Sequence, residues 1–77
     1  MNSMLNLNYE KVANLVKNKN ILITGGTGSF GNQITDVLLN KFSPRKVIIF
    51  SRDEFKQFQM QKKFSLTSYP NIRYFIG

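Results

Sequence analysis

Residues 24–31 read Thr24-Gly25-Gly26-Thr27-Gly28-Ser29-Phe30-Gly31, directly after the apolar run Ile21-Leu22-Ile23. Four of the chain's five glycines lie in this window, so glycine is placed here for a purpose. A buried strand that breaks into a glycine-rich turn and then into a helix can hold the pyrophosphate of a dinucleotide. The backbone must approach the phosphates closely, and a Cβ at the key positions would prevent it. The helix that follows offers unpaired N–H groups and the positive end of its dipole to the anion. In the spacing Gly25-x-x-Gly28-x-x-Gly31, Gly25 is expected to make the tight turn and Gly28 to sit where backbone meets pyrophosphate. Gly31 is expected to let the helix pack closely on the strand, while Thr27, Ser29 and Phe30 contribute N–H groups or a hydroxyl at the helix start.

A second group of residues follows the next apolar run, at Ser51-Arg52-Asp53-Glu54-Phe55-Lys56. An acid at the end of a second strand accepts hydrogen bonds from the adenosine 2′-hydroxyl and selects NAD, whereas a basic residue accommodates the 2′-phosphate of NADP. The guanidinium of Arg52 makes bidentate, charge-assisted bonds to phosphate. The Ser51 hydroxyl can add another bond, and Lys56, one turn further on, can reach the same anion. Asp53 and Glu54 are placed for the helix start and for the ribose or base. The expected cofactor is therefore NADP.

These groups need a frame, and the chain supplies a simple one. From Asn8 to about Lys17, Tyr9, Val12, Leu15 and Val16 recur at helical spacing, with Asn8 as a candidate N-cap; residues 1–7 are expected to fray. A strand over Asn20 to Thr24 has a continuous apolar centre, the pattern of burial on both faces. The glycine turn leads into a helix from Ser29 to about Leu39, with Phe30, Ile34, Val37 and Leu38 as the stripe facing the sheet. Asn40 to Arg45 is a loop closed by Pro44, and Lys46 to Phe50 is a second, β-branched buried strand. Ser51 and Glu54 have the spacing of a capping box, with Asp53 as an alternative cap. Phe55 to about Leu66 reads as helix from its composition, because Phe55, Phe58, Met60 and Phe64 share no clean face. Thr67 to Asn71 is a turn, and Ile72 to Ile76 a third strand. The order β-α-β-α-β, preceded by a short helix, predicts three parallel strands with both crossover helices on one face. That is the N-terminal half of a doubly wound (Rossmann) α/β sheet.

Composition narrows the chemistry. The 77 residues hold no cysteine and no histidine, which excludes disulfides, thiolate chemistry and ordinary zinc sites. Eleven Lys and Arg against four acids give a formal net charge of +7, a balance that favours an anionic partner. The basic residues are scattered, with no run longer than two, so nucleic acid and membrane are not the expected partners. No stretch approaches the roughly 20 apolar residues of a membrane span, and the first twenty residues make a poor signal peptide. A cytoplasmic location is the expectation.

Asn20-Ile-Leu-Ile-Thr-Gly-Gly-Thr-Gly-Ser-Phe-Gly31, then Ser51-Arg52-Asp53-Glu54-Phe55-Lys56-Gln57, then Arg73-Tyr74-Phe75-Ile76-Gly77, resembles the start of the inverting UDP-N-acetylglucosamine 4,6-dehydratases. These are extended short-chain dehydrogenase/reductases of bacterial surface-sugar biosynthesis. The glycine pattern is common to the superfamily; the Ser-Phe inside the turn together with Ser-Arg-Asp-Glu-x-Lys narrows it. The likeness covers residues 20–77, and residues 1–19 read as a variable extension. It implies a retained NADP used as a hydride shuttle: hydride leaves sugar C4, water is eliminated across C5–C6, and the hydride returns at C6. The implied product is a 4-keto-6-deoxy sugar nucleotide on the route to surface glycans, made by a homo-oligomeric parent. Carried over, the NADP contacts fall on Thr27, Gly28, Ser29 and Phe30 and on Ser51 through Lys56.

The chain departs from the family in one decisive respect. Short-chain dehydrogenases transfer protons with a Tyr and a Lys four residues later, and none of Tyr9, Tyr69 and Tyr74 is followed by such a Lys. The expectation is thus a truncated N-terminal part of an NADP-binding domain, holding half of a cofactor site and no catalytic residues, inactive by itself. UDP-sugar is expected only at the full-length parent. The alternatives are a stand-alone nucleotide-binding or interaction module that completes its sheet by self-association, and part of another extended member such as a sugar 4-epimerase or reductase.

Overall fold

A computed structural model describes residues 10–77. The expected N-cap Asn8, Tyr9 and the frayed segment 1–7 lie outside the described residues. Helix α1 covers residues 10–16 and is followed by β1 (Asn20–Thr24), α2 (Ser29–Lys41), β2 (Lys46–Ser51), α3 (Glu54–Lys63) and β3 (Ile72–Ile76). The strands form one sheet in the order β1-β2-β3, and both pairings are parallel. The β-α-β-α-β half of a doubly wound sheet is therefore present as expected.

Register explains which side chains make the core. Ile21, Val47 and Ile72 lie side by side, as do Ile23, Ile49 and Tyr74 two residues further on. In a strand, side chains two apart share a face, so these six point the same way. Val47, Ile49 and Ile72 are fully buried on that face against Leu38 of α2 and Met60 and Phe64 from the α3 end. Both crossover helices thus cover one face. The intervening rows, Leu22 with Ile48 and Arg73, then Thr24 with Phe50 and Phe75, form the other face, where Leu22 is 59% exposed.

Four expectations change here. Strand β1 is not buried on both faces: it is an edge strand, and its residues alternate between exposed and partly buried. The face of α2 turned inward runs through Gly31, Thr35 and Leu38, while Phe30 is 75% exposed. Spacings of four and three define one helical face, and glycine at its head brings the helix so close that a large residue has no room there. In α1 only Val16 is buried; Val12 and Leu15 lie on the surface. In α3 the buried positions are Gln57 and Met60, continued by Phe64 at the C-cap, so a glutamine replaces an apolar residue in the inward face. Its Nε2 donates to the Phe75 carbonyl of β3 at 2.8 Å, which satisfies the buried amide and docks the helix on the sheet.

The C-terminal end of α3 is held from β3. The Tyr74 hydroxyl donates to the Phe64 carbonyl at 2.6 Å, and Phe64 meets Tyr69 edge-on with ring centroids 5.7 Å apart. Burial pushes the Tyr74 phenol up to about 12 from its ordinary 10.0. Among the described residues no helix is long and apolar enough to cross a membrane.

Candidate functional site

The glycine turn is built from three constraints that act at different residues. Gly25 has φ +64°, a conformation that favours glycine, and its N–H donates to the Phe50 carbonyl at 2.8 Å, which fastens the turn to the end of β2. At Gly31 an added Cβ would run into the backbone of Gly26, so α2 can lie this close to the turn only with glycine there. Gly26 is tight as well, with Ile23 O and Ile49 Cγ2 each 3.0 Å from where its Cβ would be. Gly28 differs from both. The nearest atom to a Cβ there is Gly25 O at 3.9 Å, so the protein's own packing leaves that position open. Gly28 is also the N-cap of α2 and provides no side-chain cap, so the first helical N–H groups lack an intrahelical partner.

Two side chains lock the turn. Asn32 Nδ2 donates to the carbonyls of Thr27 at 3.1 Å and Gly28 at 3.0 Å, tying the turn to its own helix. Thr27 Oγ1 lies 3.0 Å from Ser51 Oγ in a buried contact that ties it to β2. Asn32 did not emerge from the motif. Its only signal is an asparagine in the second turn of a helix, where its side chain usually competes with helical structure rather than supporting it.

At the tip of β2 the roles are distributed differently from the expected capping box. The cap of α3 is Asp53, whose Oδ1 accepts from Lys56 N at 3.0 Å. Ser51 does not cap; it is the last residue of β2, 5% exposed, and its Oγ accepts from Asp53 N at 3.1 Å besides meeting Thr27. Ser51 closes β2 two residues before the cap position, too early to reach a helical N–H. Glu54 opens the first turn of α3, and Phe55 is 69% exposed.

Two concavities adjoin the turn. One, of about 560 Å³, lies between α2 and α3 and is bordered by Thr27, Gly28, Ser29, Asn32, Lys56 and Lys63 among others. The other, of about 450 Å³, lies at the carboxyl ends of β1 and β2 and is bordered by Thr24, Gly25, Phe50, Ser51, Arg52 and Asp53. In open parallel α/β sheets the ligand crevice lies outside the carboxyl ends of the strands. Arg52 and Lys56, expected on one anion, line different concavities. Arg52 precedes the capped helix and stays at the strand tip, whereas Lys56 has entered α3 and faces α2. Among the described residues no cluster of three metal-ligating side chains exists.

Comparison with known proteins adds a separate line of observation. Residues 21–77 match the family described as Polysaccharide biosynthesis protein. A UDP-N-acetylglucosamine 4,6-dehydratase (inverting) of Campylobacter jejuni subsp. jejuni is 61% identical over 59 residues, which cover 77% of this chain and 17% of that protein. A UDP-glucose 4-epimerase of Rickettsia bellii is 44% identical over 66 residues, again 77% of this chain and 17% of the relative. The X-ray structure of Pen from Bacillus thuringiensis superposes with a TM-score of 0.69 at 44% identity, over 80% of this chain and 18% of that one. The chain spans about a sixth of the length of the curated relatives it matches.

Proposed function

From a chain that belongs to the polysaccharide biosynthesis protein family, we propose the NADP-holding wall of an inverting UDP-N-acetylglucosamine 4,6-dehydratase. The glycine turn from Gly25 to Gly31 takes the pyrophosphate, with the N–H groups of Ser29 and Phe30 and the Thr27 side of the turn directed at it. Arg52 at the strand tip takes the 2′-phosphate, and Lys56 in the first turn of α3 adds positive charge on the neighbouring concavity beside the turn. Asp53, Glu54 and Phe55 complete the adenosine side, and Ser51 supports it from beneath. NADP bound here supplies reversible hydride storage. The residues of this chain bind and orient the nucleotide; none of them transfers a proton to the sugar.

The space at Gly28 carries this reading. A glycine such as Gly31 serves packing, because its neighbours exclude a Cβ; at Gly28 the protein's own atoms leave the backbone open, so a phosphate has room to approach it from outside. The uncapped start of α2 beside it fits an anion. The 61% identity to a dehydratase, against 44% to an epimerase, favours the dehydratase, and the epimerase match keeps sugar 4-epimerisation as the second reading. A homo-oligomeric, cytoplasmic parent acting on a UDP-sugar completes the proposal.

The test uses the chain and two small nucleotides that differ only in the 2′-phosphate, 2′,5′-ADP and 5′-AMP, titrated by calorimetry. Preference for 2′,5′-ADP is expected, and Arg52→Ala should reduce it by about tenfold, the loss of a charge-assisted pair. Equal binding of the two by the unaltered chain refutes the choice of NADP over NAD. The 77 residues by themselves are expected to turn over no UDP-N-acetylglucosamine, because they contain no Tyr followed by Lys at the fourth position. Measured turnover refutes that part.

A further inference from the structure

We infer that the buried Thr27–Ser51 hydroxyl pair is a positioning link: it fixes the glycine turn relative to the Arg52–Lys56 side and so sets how strongly a 2′-phosphate is favoured. The inference rests on the cofactor reading above and concerns residues that act through others. The geometry is specific. Thr27 Oγ1 and Ser51 Oγ are 3.0 Å apart, and both residues are nearly sealed from solvent, at 9% and 5% exposure. Ser51 Oγ accepts from the Asp53 amide at 3.1 Å, and Asp53 Oδ1 accepts from the Lys56 amide at 3.0 Å. One unbroken series of bonds therefore runs from the phosphate turn through the strand tip to the first turn of α3.

Its position gives it a function beyond packing. The turn contributes to both concavities, Thr27 and Gly28 to one and Gly25 to the other, while Arg52 and Lys56 sit on opposite ones. A nucleotide with phosphate on the 5′ and the 2′ position must meet the turn and the Arg52 strand tip at once. Its affinity therefore depends on their separation, whereas a nucleotide without the 2′-phosphate needs only the turn. The hydroxyl of Ser51 is already engaged by Thr27 and Asp53, which makes it a support for the cations rather than a further phosphate contact. Removing the Ser51 hydroxyl takes a partner from both the Thr27 hydroxyl and the Asp53 amide, while removing the Thr27 hydroxyl unties Ser51 from the turn.

The experiment compares Kd for 5′-AMP over Kd for 2′,5′-ADP in the chain and in Thr27→Val, Ser51→Ala, the double variant and Thr27→Ser. Each single loss is expected to reduce this ratio by about tenfold. The double variant should go no lower than Ser51→Ala, the sign of two residues acting as one unit. Thr27→Ser, which keeps the hydroxyl, should retain the ratio and shows that folding is not at issue. A ratio that falls in Ser51→Ala but not in Thr27→Val means that Ser51 contacts phosphate directly and overturns the inference. So does an unchanged ratio with equally weakened binding of both nucleotides. Failure of the unaltered chain to prefer 2′,5′-ADP overturns the cofactor reading, and the inference with it, and is seen before any variant is made.

Discussion

The glycines of the turn look interchangeable in the sequence and are not. Gly31 serves packing: its missing Cβ admits the Gly26 backbone. Gly31→Ala gains about 1 kcal/mol of helix propensity, but the clash is with backbone and is relieved only by displacing α2, at a typical cost of about 1–3 kcal/mol or more. A fall in Tm of about 5 °C or more is expected, since 1 kcal/mol is worth roughly 4–8 °C in a domain of this size. Gly28→Ala meets open space. It should leave Tm within a few degrees and weaken 2′,5′-ADP by tenfold or more. Thermal unfolding and calorimetry on the two variants check the pair, and a Gly28→Ala chain that binds normally refutes the assignment of Gly28 to the ligand. The motif itself was legible because it depends on spacing along the chain. Asn32, which locks the turn by two bonds to carbonyls four and five residues back, was not, because an asparagine carries no label for what it will bond.

At the scale of elements, α3 is held at both ends by polar groups in addition to the buried Met60 and Phe64. Gln57 docks it to Phe75, and the Tyr74 hydroxyl takes the Phe64 carbonyl at its C-terminal end. The phenol has a consequence in pH. Burial raises its pKa from 10.0 to about 12, so the folded chain holds this proton where the unfolded chain has lost it. The stabilisation is complete below pH 10 and is lost as pH rises from 10 to 12. Thermal unfolding of the chain and of Tyr74→Phe between pH 9 and 12 should therefore show a gap that shrinks across this window. A constant gap refutes the linkage. The same polar anchoring explains what the sequence withheld. Strand limits were legible from β-branched runs bounded by Asn, Pro and the glycine turn, and β3 falls on Ile72–Ile76 as expected. The inward face of α3 was not, because Gln57 reads as surface until β3 arrives beside it. The stripe of α2 holds at Leu38 and at Ile34, which packs against the core, and fails at its head for a related reason: Phe30 is the larger apolar group, but the close approach of helix to turn admits only Gly31 there.

In the molecule as a whole, the two helices and the sheet seal one face, and the opposite face stays apolar and accessible. Leu22, Phe50 and Phe75 are 59%, 41% and 54% exposed there, with β1 at the sheet edge beside them. An accessible apolar edge is a template for pairing with another copy, while a net charge of +7 opposes close approach. The balance between these is set by salt, because screening shortens the reach of like charge to about 8 Å at 0.15 M and about 3 Å at 1 M without weakening apolar burial. The chain is therefore expected to self-associate with rising concentration and more strongly at high ionic strength, as read by sedimentation velocity. Leu22→Lys, which puts a charge on the edge strand and the open face together, should shift the association to several-fold higher concentration. Thr24→Lys, in the neighbouring row on the same strand, tests whether charge anywhere on that face suffices. Association that weakens with salt would mean that charge, not the apolar face, draws the copies together. A chain that stays monomeric at high salt would show that the face does not act as an interface on its own.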